Sequence, residues 1–183
     1  MARGVGAVLL VARVLPRERR RGRGALSNAS GRFEAERRES IDDGWEALAT
    51  LEALKTNAHV EKPRSIITRN ESPDISFDRS INPYRGCEHG CIYCYARNTH
   101  EYWGYSAGLD FERKIIAKPN APQLLEKQLR SRNWVVSPIM FSGNTDCYQP
   151  IERKLEITKQ MLEVLLKYKH PVGLITKNAL ILR

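Results

Sequence analysis

No run in the sequence approaches the roughly 20 apolar residues that a membrane-spanning helix needs, so the chain has no such helix by composition. The apolar stretch Gly6 to Ala12 is short and bracketed by Arg3 and Arg13. No small-residue cleavage site follows it before an arginine-rich run, which argues against a secretory signal. Cysteine is scarce, with four in 183 residues. Three of them crowd one window, where short-range strain disfavours pairing, so a disulfide scaffold is not expected and the cytoplasm is the expected compartment. No internal repeat is visible. Acidic residues are thin at the start: residues 1–40 hold ten arginines against four glutamates, so most of the net charge of +9 lies there.

What remains is ordinary for a globular domain, with 42% apolar and 28% charged residues and enough length for one hydrophobic core. The distinctive feature is the window Cys87-Glu88-His89-Gly90-Cys91-Ile92-Tyr93-Cys94, a C-x3-C-x2-C spacing. Three thiolates on so short a loop suit one metal centre, either an iron–sulfur cluster or zinc. A structural zinc site normally takes four protein ligands, and the loop offers three cysteines; His89, His100 or Cys147 would have to complete it. A four-iron cluster held by three thiolates keeps one iron open to another ligand. Five of the seven tyrosines lie between Tyr84 and Tyr105, where core and loop packing accounts for most of them.

Along the chain, residues 1–40 read as a basic, mostly disordered leader, with Ala25 to Asn28 able to dock as an extended segment. The run Arg17 to Arg23 is suited to nucleic acid phosphates. Asp42 or Asp43 is placed to cap a short helix whose stripe is Trp45, Leu48, Leu51 and Leu54. Residues 41–75 thus form an N-terminal helix and extended segment, with a strand at Ser65 to Thr68. Strands are expected at 76–82, 138–141 and 172–176, helices at 121–130 and 152–167, and an extended connection at 111–117. Strand and helix alternating with short turns is the pattern of a parallel α/β unit. Three polar clusters fall at strand ends: the cysteine loop, Ser142 to Asp146, and Thr176-Lys177-Asn178. Asp146 also stands where a helix cap would. His59 reads as a surface residue and His170 as a helix-end residue.

The cysteine spacing with Tyr93 before the last cysteine resembles the cluster loop of the radical SAM superfamily. The phrases Arg79-Ser80-Ile81-Asn82-Pro83-Tyr84-Arg85-Gly86-Cys87 and Asn144-Thr145-Asp146-Cys147-Tyr148-Gln149-Pro150-Ile151-Glu152-Arg153 resemble its spore photoproduct lyase-like branch. The resemblance implies an α/β fold, the first half of a partial (β/α)6 TIM-type barrel, with 76–183 as a core of about three βα units. It implies a [4Fe–4S] cluster on Cys87, Cys91 and Cys94, with S-adenosylmethionine chelating the fourth iron. Tyr93, Tyr95, Ser142, Asn144, Thr145, Asp146 and Lys177 would line the S-adenosylmethionine site. One electron from a flavodoxin- or ferredoxin-type donor would cleave the sulfonium to methionine and a 5′-deoxyadenosyl radical, which abstracts hydrogen from substrate. Spore photoproduct lyases carry a donor cysteine in the second strand-end run. Aligned on Asp146, that position is Gly143, which leaves the substrate open. Only three of six barrel strands are expected before Arg183, which reads as a fragment. The alternative is a non-catalytic zinc or iron–sulfur module whose basic arm holds nucleic acid.

Overall fold

The computed structural model describes residues 23–34 and 55–182. The expected helix over residues 42–54 and most of the basic leader lie outside these residues. The described chain is a mixed α/β structure with two small sheets and no closed barrel.

The larger sheet has the order β2-β3-β6-β7, built from Ile67–Arg69 (β2), Arg79–Ile81 (β3), Ile139–Phe141 (β6) and Val172–Leu174 (β7). β3, β6 and β7 run parallel, with Ile81 beside Phe141 and Phe141 beside Leu174, while β2 runs antiparallel against β3. Parallel neighbours need helical crossovers to bring the chain back. Helix α2 (Ala121–Leu129) precedes β6, and α3 (Glu152–Leu155) and α4 (Ile157–Lys167) precede β7. Ile81, Ile139 and Phe141 are fully buried against Leu125 of α2 and Met161 and Leu165 of α4, which makes the main core.

The smaller sheet has the order β1-β5-β4, from Asn57–Val60 (β1), Tyr84–Arg85 (β4) and Lys114–Ala117 (β5). The expected extended connection at 111–117 is half helix: α1 covers Leu109–Arg113 and only then does β5 begin. Leu109 and Phe111 are buried on α1, and from four residues farther on Ile115 and Ile116 are buried as a strand. Alternating periods this short leave no sequence signal long enough to separate the two. β1 was not foreseen, because all four of its residues are exposed; its partner β5 holds it through register, not burial.

The expected single helix over 152–167 breaks at Glu156, which sits in the left-handed region at φ 49°. The expected docking of Ala25 to Asn28 is seen, and the packed stretch is longer than expected, covering residues 23–34. Asn28 exchanges hydrogen bonds with Asp110, donating to Oδ1 at 2.9 Å and accepting from its backbone N–H at 2.8 Å. Arg23, expected among the phosphate-binding arginines, instead donates to the Glu112 carbonyl at 2.7 Å and to Thr56 Oγ1 at 3.2 Å.

Candidate functional site

The cysteine loop leaves β4 through Gly86, whose φ of 74° and close neighbours leave no room for a side chain: a Cβ would lie 2.8 Å from the Phe111 carbonyl. This turn lets the Cys87 N–H donate to that carbonyl at 2.9 Å. Cys87 is buried, Cys91 and Cys94 are half-buried, and all four cysteines of the chain are free thiols. Cys87 packs with Ala96, Phe111 and Cys94 in a small cluster separate from the main core. Burial pushes the Cys87 thiol up to about 11.

Two other segments grip the loop. On one side, the residues after β6 reach it: Gln149 accepts from the Glu88 N–H at 3.0 Å and donates to the Gly86 carbonyl at 3.1 Å. Glu88 in turn accepts from the Ile151 N–H at 2.8 Å and from Thr56 Oγ1 at 2.7 Å. On the other side, Arg97 donates from Nε to the Cys91 carbonyl at 3.0 Å and pairs with Glu112, whose carboxylate also accepts from the Gly24 and Ala25 N–H groups. Gly24 crosses so closely that a Cβ there would lie 1.9 Å from the Gly90 carbonyl. Glu88, Arg97, Glu112 and Gln149 are the residues that sequence reasoning passed over. Gln149 lies inside a phrase already singled out, but nothing in its spacing revealed that it reaches back some sixty positions to the loop.

The three polar strand ends meet at this loop. Asp146, after β6, accepts from Thr176 Oγ1 at 2.7 Å, from the Lys177 N–H at 3.1 Å and from the Tyr148 N–H at 2.9 Å. His89 of the cysteine loop lies 3.4 Å from its other contact face, at Oδ2. Although burial works against it, the His89, Thr176 and backbone donors hold the Asp146 carboxyl down at about 2. Asp146 therefore ties the ends of β6 and β7 to the cysteine loop instead of capping α3. The Lys177 ammonium reaches Cys91 Sγ and stands 5.9 Å from the centre of the Tyr93 ring. Tyr95 donates its hydroxyl to the Gly143 carbonyl. The Tyr93 and Tyr95 side chains are 82% and 72% exposed, so both are open to a ligand laid over this face.

The remaining expected residues sit differently. Thr145 is buried and its hydroxyl donates to the Tyr84 carbonyl at 3.0 Å. Ser142 occupies the left-handed region at φ 67°, and its N–H closes onto the Ile81 carbonyl at 3.0 Å. Asn144 is exposed, with its N–H donating to Asn82 Oδ1 at 3.1 Å. Cys147 belongs to the main core and not to the loop's own cluster; burial raises its thiol to about 12. His100 is buried with Nε2 against the Lys114 carbonyl at 3.0 Å and its ring edge-on to Phe111. Of the three residues considered as a fourth zinc ligand, His100 and Cys147 are thus engaged elsewhere.

Among the described residues, no three His, Cys, Asp or Glu side chains close on a point suited to a single metal ion. Each thiolate of an iron–sulfur cluster takes its own iron, so such a group calls for three cysteine sulfurs on one loop. Cys87, Cys91 and Cys94 are free thiols on one clamped loop, the donor type that such a group uses.

The chain is similar to uncharacterized proteins from three organisms. One from Mycobacterium tuberculosis is 34% identical over 109 residues, covering 60% of this chain and 32% of that protein. One from Mycobacterium bovis matches to the same extent. One from Methanocaldococcus jannaschii is 30% identical over 103 residues, covering 56% of this chain and 36% of its own length. The chain spans about a third of the length of these curated relatives. No protein-family profile and no solved structure matches it.

Proposed function

We propose that the chain carries the cluster-binding part of a radical SAM enzyme of the spore photoproduct lyase-like kind, working in the cytoplasm. The supporting observation is the gathering of all three polar strand ends, through Asp146 and Lys177, onto the half-buried thiol of Cys91. Cys87, Cys91 and Cys94 would hold the [4Fe–4S] cluster. When bound, the cluster and S-adenosylmethionine supply a 5′-deoxyadenosyl radical that abstracts hydrogen from substrate.

The protein's own part is position and charge. Arg97 and Gln149 fix the loop backbone from opposite sides, so the thiols are pre-set before any metal arrives. The Cys91 sulfur beside it raises the pKa of the Lys177 ammonium, which keeps a positive charge where the β7 strand end meets the loop. Asp146 stays ionised at any physiological pH and presents a fixed negative charge beside the loop, suited to an ammonium group. Tyr93 and Tyr95 offer exposed rings for an adenine face.

Anaerobic reconstitution with iron and sulfide tests the reading. A brown protein whose reduced cluster changes its electron paramagnetic signal on adding S-adenosylmethionine is the expected result. A colourless protein holding one zinc overturns it. Replacing any of Cys87, Cys91 or Cys94 by Ala should abolish iron retention, and Cys147→Ala should leave it intact, since Cys147 packs in the other core. Iron loss in the Cys147 variant would make it a fourth ligand.

A further inference from the structure

A second polar pocket lies beside β4. Lys118 follows β5 directly and is only 6% exposed. Its ammonium donates to the Asn82 carbonyl at 2.9 Å, which uses one of its three N–H groups. Among the described residues no carboxylate lies within ion-pair distance of it; Glu61, whose charge it feels, is held by Arg85 at 3.1 Å. Lys118 and Arg85 both line one pocket of about 60 Å³, together with Thr68, Asn82, Asn144 and Thr145.

A buried ammonium with no carboxylate in contact is costly, and the Arg85 guanidinium beside the same space, only partly offset by Glu61, adds to the cost. Burial first, and then the Arg85 charge, lower Lys118 to about 8. An anion with two negative charges would relieve both effects. A single water needs only about 10–15 Å³ of such space, so the pocket has room for the oxygens of a phosphate. Asn144 and Thr68, which also line it, carry further side-chain donors.

We propose that this pocket binds the terminal phosphate of a phosphorylated ligand, with Lys118 and Arg85 supplying the positive charge. The pocket shares Asn144 with the strand-end cluster, so a ligand anchored here by its phosphate would extend toward the cysteine loop. The inference does not depend on what the cysteines bind.

The test is titration of the full chain with inorganic phosphate at constant ionic strength, read by calorimetry on metal-free protein. Saturable binding at one site is expected. Lys118→Met should weaken it at least about tenfold, a loss of about 1.4 kcal/mol. Arg85→Gln should weaken it as well, and Lys167→Gln, an exposed lysine outside the pocket lining, should leave it unchanged. Dimethyl phosphate, a singly charged diester, should bind about tenfold more weakly than inorganic phosphate, in line with its lower charge. No saturable binding by the natural chain overturns the proposal. So does binding unchanged in Arg85→Gln, whose half-exposed side chain makes it the variant to use if Lys118→Met fails to fold. Equal affinity for the diester overturns the assignment to a terminal phosphate. Because no cluster is present in this measurement, its failure leaves the radical SAM reading untouched, and failure of reconstitution leaves this site untouched.

Discussion

The Arg97 guanidinium reaches the carbonyls of Cys91, Ala107 and Gly108 and the carboxylate of Glu112, with Glu112 wholly buried. Removing the arginine would leave that carboxylate, among the described residues, with the Gly24 and Ala25 amides. Breaking a buried pair from one side costs about 3–5 kcal/mol, so Arg97→Ala should lower stability by that order in urea unfolding. It should also cut iron retention after reconstitution, because the Cys91 backbone loses its support. Arg97→Lys should not rescue either, since an ammonium cannot span four acceptors as a planar fork does. His100 gives a pH signature. Desolvation lowers it to about 4, so the fold favours the neutral ring, whose Nε2–H donates to the Lys114 carbonyl. Stability should be full above about pH 6.5, where the unfolded histidine is also neutral, and fall as pH drops from there toward 4. The difference amounts to about 3 kcal/mol. Thermal melts across that range should show the slope, and His100→Gln should flatten it.

At the scale of elements, α2 and α4 lie side by side over the larger sheet. Met161 of α4 is fully buried with Leu125 of α2 and Phe141 of β6. Truncating a fully buried methionine removes its apolar contacts and leaves a void, costing about 2–5 kcal/mol. Met161→Ala should therefore lower the denaturation midpoint, whereas Leu166→Ala on the exposed side of the same helix should change it by less than about 0.5 kcal/mol. Equal losses at the two positions would mean that α4 is packed on both faces in solution.

For the whole molecule, the outer edge of β7 matters most. β7 pairs with β6 alone among the described residues, and Val172, Ile175 and Leu182 are exposed along or just after it. An unpaired strand edge flanked by apolar side chains recruits another chain. The 183-residue chain should self-associate with rising concentration in sedimentation velocity, and Ile175→Lys should return it toward monomer. A monomer at all concentrations would mean that this edge is covered. No helix among the described residues is long and apolar enough to cross a membrane.

Local pattern was enough to mark the cysteine loop, the strands at 139–141 and 172–174, and the helices over 121–129 and 157–167. Each carries its signal within a few residues: spacing of like side chains, a helical apolar stripe, or a run of apolar residues ended by a polar one. The break at Glu156 was not legible, because Glu is a good helix former and its left-handed backbone carries no local sequence signal. Docking was expected only for Ala25 to Asn28; that it includes Arg23 was not legible, since these contacts go to Glu112 and Asp110 some eighty positions away. The candidate thiols could be named from spacing alone. Their clamp of Gln149, Glu88 and Arg97, and the pairing of a buried Lys118 with Arg85 around one pocket, could not. Those contacts join segments far apart in the chain, and hydrogen bonds between distant residues leave no periodicity for a sequence to display.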